Sequence, residues 1–331
     1  MSEESTNNNT TEVKHKRRVR YKGTHPKSYK TKYKEHNPEK YAETIQKIKE
    51  KGNTPAGMHR SILVTEILEF LDIKPGQIGF DATLGYGGHT KKMIQFLKNS
   101  GHLYASDVDP IELAKTEERL LKQGIGPEIF TVINMNFSEI DEIISETGKF
   151  DFILADLGVS SMQIDNPDRG FSYKTEGPLD LRMNPNDGVS ASVRLRGMTQ
   201  EEIEGMLIEN ADEPHAATIA KAITDEYRKG GQITTTTKLR NIIEDALQFL
   251  PSSTKDKEIK KSCQRSFQAL RIDVNHEYQS LYDFLDKLPT VLAKGGKVAI
   301  LSFHSGEDRL VKKSFRRYVR EGLYEEVAPQ P

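Results

Sequence analysis

Ile78-Gly79-Phe80-Asp81-Ala82-Thr83-Leu84-Gly85-Tyr86-Gly87-Gly88-His89 opens as a short apolar run and closes as a glycine-rich turn. The run predicts a buried strand, and Met93, Ile94 and Leu97 beyond the turn recur at the spacing of one helix face. Glycine lets the backbone turn sharply and lets a ligand approach with no Cβ in the way. The same rhythm continues downstream. Leu103-Tyr104-Ala105-Ser106 predicts a second strand ending at Asp107, and Pro110 opens a helix at the position that its fixed φ and missing N–H favour. Ile129 to Ile133 predicts a third strand. Ser138 is placed as the cap of a helix carrying Ile140, Ile143 and Ile144, and Phe150 to Ala155 predicts a fourth strand ending at Asp156. Strands alternating with helices in this way predict an α/β fold with a mostly parallel sheet.

Outward from this block the pattern changes. Upstream, Ile62 to Leu71 predicts a helix. Downstream, residues 164–266 hold turn formers and helical stretches such as Gln200 to Ile208 and Lys238 to Phe249, with no strong strand. A helix over Val274 to Leu288, a turn at Gly295-Gly296, a fifth strand over Lys297 to Phe303 and a helix over Glu307 to Tyr318 then resume the alternation. The expected organisation is a basic, largely disordered arm (1–57), a first core part (58–163), an inserted mainly helical domain (164–266) and a second core part (267–331).

The chain has 331 residues, 29% of them charged and 35% hydrophobic, and it contains no run of about twenty apolar residues. No secretory leader is legible at Met1 to Thr11, so a cytoplasmic protein is expected. A single cysteine, Cys263, excludes an internal disulfide and a zinc site built on several thiolates, and no metal is expected. The net charge of -1 conceals an asymmetry: residues 13–51 hold 14 Lys/Arg against 4 Asp/Glu, leaving the chain from residue 52 onward at -8. Tyr21, Tyr29, Tyr33 and Tyr41 interleave with those cations. Cations displace counterions from phosphates and tyrosines stack on unpaired bases, so the arm suits a nucleic acid; a merely solvating tail is the other reading.

Open parallel sheets hold ligands at the carboxyl ends of their strands. Three junctions therefore matter: the turn at Asp81 to His89, Asp107 at the end of the second strand, and Asp156-Leu157-Gly158-Val159-Ser160-Ser161 after the fourth. Asp107 is placed where a carboxylate can accept both ribose hydroxyl protons. A dinucleotide turn needs a third glycine where Gly85-Tyr86-Gly87-Gly88-His89-Thr90 has threonine, so S-adenosylmethionine suits the turn better than a nicotinamide cofactor. His304-Ser305 invites a nucleophilic triad, yet no strained nucleophile turn or oxyanion arrangement accompanies it.

The chain resembles the bacterial small-subunit (16S) ribosomal RNA cytosine-N4 methyltransferase family over roughly residues 58–328. The resemblance rests on His59 to Glu66, Asp81 to His89, Asp107-Val108-Asp109-Pro110, Asp156 to Ser161, Asp168-Arg169-Gly170-Phe171-Ser172-Tyr173, Gly177 to Met183, Phe267-Gln268-Ala269-Leu270-Arg271-Ile272, and Ser302-Phe303-His304-Ser305. It implies a class I methyltransferase core, Rossmann-like with helices on both faces of the sheet, plus the inserted helical domain. It further implies S-adenosylmethionine-dependent N4-methylation of a cytidine in the decoding region of 16S ribosomal RNA within the small subunit. Carried over by position, the cofactor contacts are Gly87, Gly88, His89, Asp107, Phe137, Asp156 and Gln163. Asp156 is the catalytic choice, as an acceptor drawing on the protons of a poorly nucleophilic amine. Phe171 or Tyr173 is expected to stack on a flipped base. Asp180, Arg182, Arg271 and Arg169 are expected either to touch RNA or to brace the insertion through ion pairs, and Asp109 to order the turn before Pro110. The chain departs from the family where Lys261-Ser262-Cys263-Gln264 stands for a usual His-Pro-Ala, where Gly306 stands for a usual Leu, and at the C-terminus, where either the sheet lacks its last antiparallel strand or the chain is shortened. A catalytically idle RNA-binding assembly factor and a nicotinamide-dependent oxidoreductase are the alternatives, and a homodimer stays open.

Overall fold

The computed structural model describes residues 61–325; the basic arm at 13–51 and the first residues of the His59 motif lie outside the described residues. Helix α1 (Val64–Leu71) leads into β1 (Ile78–Asp81), α2 (Gly88–Leu97), β2 (His102–Ser106), α3 (Pro110–Leu121) and β3 (Phe130–Ile133). A 3-10 helix (Phe137–Ile143) running into α4 (Ile144–Thr147) precedes β4 (Phe150–Asp156). There follow α5 (Ser161–Asp165), α6 (Ala191–Arg196), α7 (Gln200–Ala211), α8 (Ala216–Arg228), α9 (Thr236–Ala246), α10 (Lys255–Val274), α11 (Glu277–Val291), β5 (Leu292–Leu301) and α12 (Ser305–Arg320).

The five strands form one parallel sheet in the order β3-β2-β1-β4-β5. Side chains alternate across it. Leu103, Ala105, Phe152 and Leu154 join Leu71, Met93, Leu97 and Leu120 on one face. Phe80, Ile153 and Ala155 join Ile140, Leu281, Phe284 and Leu288 on the other. Neighbouring β4 residues thus serve opposite cores, which is why the strand reads as an unbroken apolar run. The chain moves outward from β1 to β3 and then returns to β4, so the order reverses between β1 and β4 and leaves a crevice at their carboxyl ends.

Between β4 and β5, helices α6 to α10 close around Leu179, Leu195, Ile203, Ile219, Ile243, Phe267 and Leu270. In α8, Ala216, Ile219, Ala220 and Ile223 form the inward stripe. Strand pairing there, among the described residues, is one antiparallel bridge between Pro178 and Thr235. Cys263 is buried in this core, and burial pushes its thiol up to about 12, so it packs as an inert apolar group.

Several local expectations shift. The helix after β3 is capped by Asn136, whose side chain accepts from the Ser138 N–H while Glu139 accepts from the Asn136 N–H, so Ser138 is not the cap. The helix expected over Val274 to Leu288 begins three residues later: α10 ends at Val274, His276 turns the backbone with φ 51, and α11 begins at Glu277. Because α10 carries both Cys263 and Arg271, the expected boundary at 266/267 falls inside one helix. Gly295-Gly296 is no turn; both lie within β5, whose pairing with β4 slips between Phe150 and Phe152.

Candidate active site

The carboxyl ends of β1, β2 and β4 open onto a cleft of about 680 Å³. Its sheet side carries Gly85, Gly88, His89, Asp107, Phe137 and Asp156, and its far side carries Arg182, Met183 and Asn184 with Asn275, His276 and Glu277. Asp107 is held by two backbone donors: the Gly85 N–H reaches Oδ2 at 2.8 Å and the Asp109 N–H reaches Oδ1 at 2.9 Å. Burial pushes this carboxyl up to about 6. Each oxygen keeps a lone pair for a hydroxyl donor from the cleft.

Gly88 and His89 stand on the cleft wall, but Gly87 does not. Gly87 is the N-cap of α2 at φ 73, and a Cβ there would lie 2.9 Å from Thr116 Cγ2. Gly87 thus packs closely on α3, and the glycines of this turn that line the cleft are Gly85 and Gly88. Phe137 lines the cleft with its ring tilted edge-on to Phe284, 5.1 Å between centroids. Gln163 also lines it, with its amide engaged: the Ser160 N–H donates to Oε1 at 2.8 Å, and Nε2 donates to Asp109 Oδ2 at 2.8 Å.

Asp156 sits at the end of β4, where its N–H donates to Thr83 Oγ1 at 2.7 Å. His89 Nε2 lies 3.5 Å from Asp156 Oδ2, a close approach without hydrogen-bond geometry. His89 Nε2 and Asp156 Oδ1 are both buried without a hydrogen-bond partner. Buried polar atoms are seldom left so, because each forfeits its hydration. The two stand on one wall of the cleft. Beneath them Asp81 is fully buried, with the Thr90 hydroxyl and the Thr83 N–H donating to it, and burial pushes its carboxyl up.

A second cavity of about 320 Å³ adjoins the first. Leu157, Gly158, Val159, Phe303 and Glu307 line both. Phe171 and Tyr173 line the smaller one, but not as free stacking platforms. Phe171 is 7% exposed in the helical core, and Tyr173 packs edge-on against Phe267 at 5.8 Å with its hydroxyl buried. Phe303, 58% exposed, is the aromatic that opens to both cavities. Its signal was the Ser302-Phe303-His304-Ser305 block at the end of the fifth strand, where a histidine beside a serine drew attention instead. His304 caps α12, its Nδ1 accepting the Glu307 N–H at 3.4 Å, so no nucleophile–base pair forms.

The remaining charged residues are ion-paired inside the chain. Arg169 donates to Asp109 Oδ2 at 2.7 Å and to the carbonyls of Arg182 and Met183 at 3.1 and 2.7 Å. Arg182 grips Asp180 with two bonds of 2.7 and 2.8 Å, and Arg271 grips Glu277 at the same two distances. Asp109 also caps α3, accepting from the Ile111 and Glu112 N–H groups. The Gly306 departure has a cause: a Cβ there would fall 1.8 Å from the Tyr278 hydroxyl, which donates to the Asn210 carbonyl.

The parallel sheet in the order β3-β2-β1-β4-β5, with a backbone-held carboxylate just after β2 and an unpaired carboxylate oxygen at the end of β4, has the Rossmann-like form of a class I methyltransferase. The chain belongs to the MraW methylase family, whose model matches residues 56–329. It is 65% identical over 318 residues to the ribosomal RNA small subunit methyltransferase H 2 of Alkaliphilus metalliredigens, covering 96% of this chain and 91% of that one. It is 64% identical to the ribosomal RNA small subunit methyltransferase H 1 of Lachnoclostridium phytofermentans (95% and 86% covered) and 38% identical to the methyltransferase H of Halorhodospira halophila (83% and 83%). The cofactor is S-adenosylmethionine, and the cleft residues fit it: hydroxyl acceptors at Asp107, an apolar ring at Phe137 and unpaired polar atoms at His89 and Asp156. No metal-binding cluster, and no helix long and apolar enough to cross a membrane, occurs among the described residues.

Proposed function

We propose that this protein transfers a methyl group from S-adenosylmethionine to the exocyclic N4 of a cytidine in the decoding region of 16S ribosomal RNA, acting in the cytoplasm on the small subunit. The observation that carries the reading is the unpartnered Asp156 Oδ1 in the larger cavity, one residue before the Leu157-Gly158-Val159 stretch that lines both cavities. The names of the relatives support the RNA class. Bound S-adenosylmethionine supplies an electrophilic methyl carbon. Asp107 holds ribose hydroxyls and Phe137 packs the adenine, which positions the donor. Asp156 accepts a hydrogen bond from the N4 amine and so raises electron density on a nitrogen whose lone pair is delocalised into the ring. N4 forms the new bond to carbon while the sulfur–carbon bond breaks, and the surplus N4 proton leaves afterwards to Asp156 or solvent. Holding the reactants in line provides much of the acceleration, so no strong base is required. Phe303 offers its exposed ring to the extruded base.

The test is radiolabelled methyl transfer to small subunits and to deproteinised RNA. Asp156→Ala should lower kcat by roughly 100-fold, the scale of one lost transition-state hydrogen bond. Its donor affinity, by calorimetry, should fall far less than kcat, since the bond to the substrate amine counts most in the transition state. Full turnover in Asp156→Ala removes the proposed role, and wild-type protein that binds subunits without methylating them would make it an idle assembly factor.

A further inference from the structure

The target base must arrive on a polyanionic strand, and the chain from residue 52 onward is acidic overall, at -8. Against that background α12 is an exception, with six Lys/Arg to two Asp/Glu. Its cations are also sorted by face. Arg309, Lys313, Arg316 and Arg320 follow one another at steps of four, three and four residues, which is a single helical stripe. All four are exposed, while Leu310, Val311 and Phe315 pack into the core and Tyr318 is buried behind them. Lys313 and Arg316 have no ion-pair partner among the described residues, and Arg320 reaches only the Arg316 carbonyl at 3.4 Å. Arg309 meets Asp212 at 3.3 Å with both side chains about two-thirds exposed, a pair too solvated to hold it against a phosphate.

The stripe has a fixed relation to the reacting end of the site. Leu301 of β5 pairs with Asp156 of β4, Phe303 follows and lines both cavities, and α12 begins at Ser305. From Arg309 to Arg320 the helix advances about 16 Å, enough to run beside a few nucleotides.

We infer that the outer face of α12 is the track for the RNA strand flanking the target nucleotide, with Lys313, Arg316 and Arg320 contacting its phosphates and Phe303 marking the point where the base leaves the strand. The inference rests on the RNA reading above and adds a basic surface beside the reacting end of the cleft. The stripe would act on substrate capture, through counterion release, and not on methyl transfer itself.

The experiment compares wild type, the triple variant Lys313→Gln/Arg316→Gln/Arg320→Gln, and a control losing equal charge on α2 and its C-cap, Lys91→Gln/Lys92→Gln/Lys98→Gln. Filter binding of small subunits is measured across a salt series, with methyl-transfer kinetics and donor affinity alongside. Three lost phosphate contacts should flatten the slope of log affinity against log salt by about 2. The KM for subunits should rise at least about tenfold, with kcat, donor affinity and melting temperature unchanged and the control close to wild type. Equal effects in the triple variant and the control, or an unaltered slope in the triple variant, overturn the track. Loss of binding to phosphatidylglycerol vesicles with unchanged binding to subunits overturns it too and assigns the stripe to a lipid surface. Should wild type bind subunits yet transfer no methyl, the proposed activity falls while the slopes still decide the track.

Discussion

At the scale of single residues, Asp107 combines two roles that pull its titration in opposite directions. Burial raises its carboxyl from 3.8 to about 6 in the folded protein. An acid with a raised folded-state pKa binds its proton more tightly in the fold, so its contribution to stability improves as pH falls through about 6. Donor affinity runs the other way, because only the carboxylate accepts from both ribose hydroxyls. Calorimetry should show the S-adenosylmethionine Kd rising as pH drops below about 6, with proton release on binding near that pH. Asp107→Asn should weaken binding and remove the pH dependence. A Kd flat from pH 5 to 8 in the wild type sinks the assignment. Asp107 and Asp156 were legible because each ends an apolar run and so had to project from a strand end. Phe303 and the true place of Gly87 were not. Whether a glycine faces a ligand or a neighbouring helix depends on Thr116 and Leu120, which approach it only through tertiary packing.

At the scale of elements, the turn between β1 and α2 depends on Gly87 keeping its left-handed φ of 73. Gly87→Ala would add about 1–2 kcal/mol of backbone strain, before any cost from crowding Thr116. The expected outcome is a lower denaturant midpoint, and weaker donor binding as the α2 start moves; an unchanged midpoint overturns the packing argument. Strand and helix identities came through because their apolar periods are local. Boundaries came through less well. His276, which splits α10 from α11, has no glycine to announce its positive φ, and the β5 slip at Gly295-Gly296 exists only in relation to β4. The Asn136 cap was obscured by a second good capping residue, Ser138, two positions on.

At the scale of the folded chain, one buried ion pair joins the sheet to the inserted helices. Asp109, fully buried, anchors the loop that carries Asp107, and Arg169 fastens that loop to the 182–183 segment on the far cleft wall. Arg169→Met leaves the Asp109 charge unpaired and should cost about 3–5 kcal/mol in unfolding free energy. Adding Asp109→Asn should recover much of that loss while donor affinity stays impaired, since the neutral pair no longer positions the 182–183 carbonyls. Additive losses in this double-mutant cycle argue against direct coupling. This pairing was beyond sequence reading: the partners stand far apart in the chain, and Arg169 looked equally suited to RNA.

The adjacency of β4 and β5 has a consequence for how the protein is made. Asp156 is translated long before Leu301, its neighbour in the sheet, and the entire helical insert emerges from the exit tunnel between them. Pairing of such distant partners is slow and comes late in folding. A nascent chain can therefore pair β1 to β4 early, yet the sheet edge beside Asp156 stays open until the distant β5 has emerged and docked.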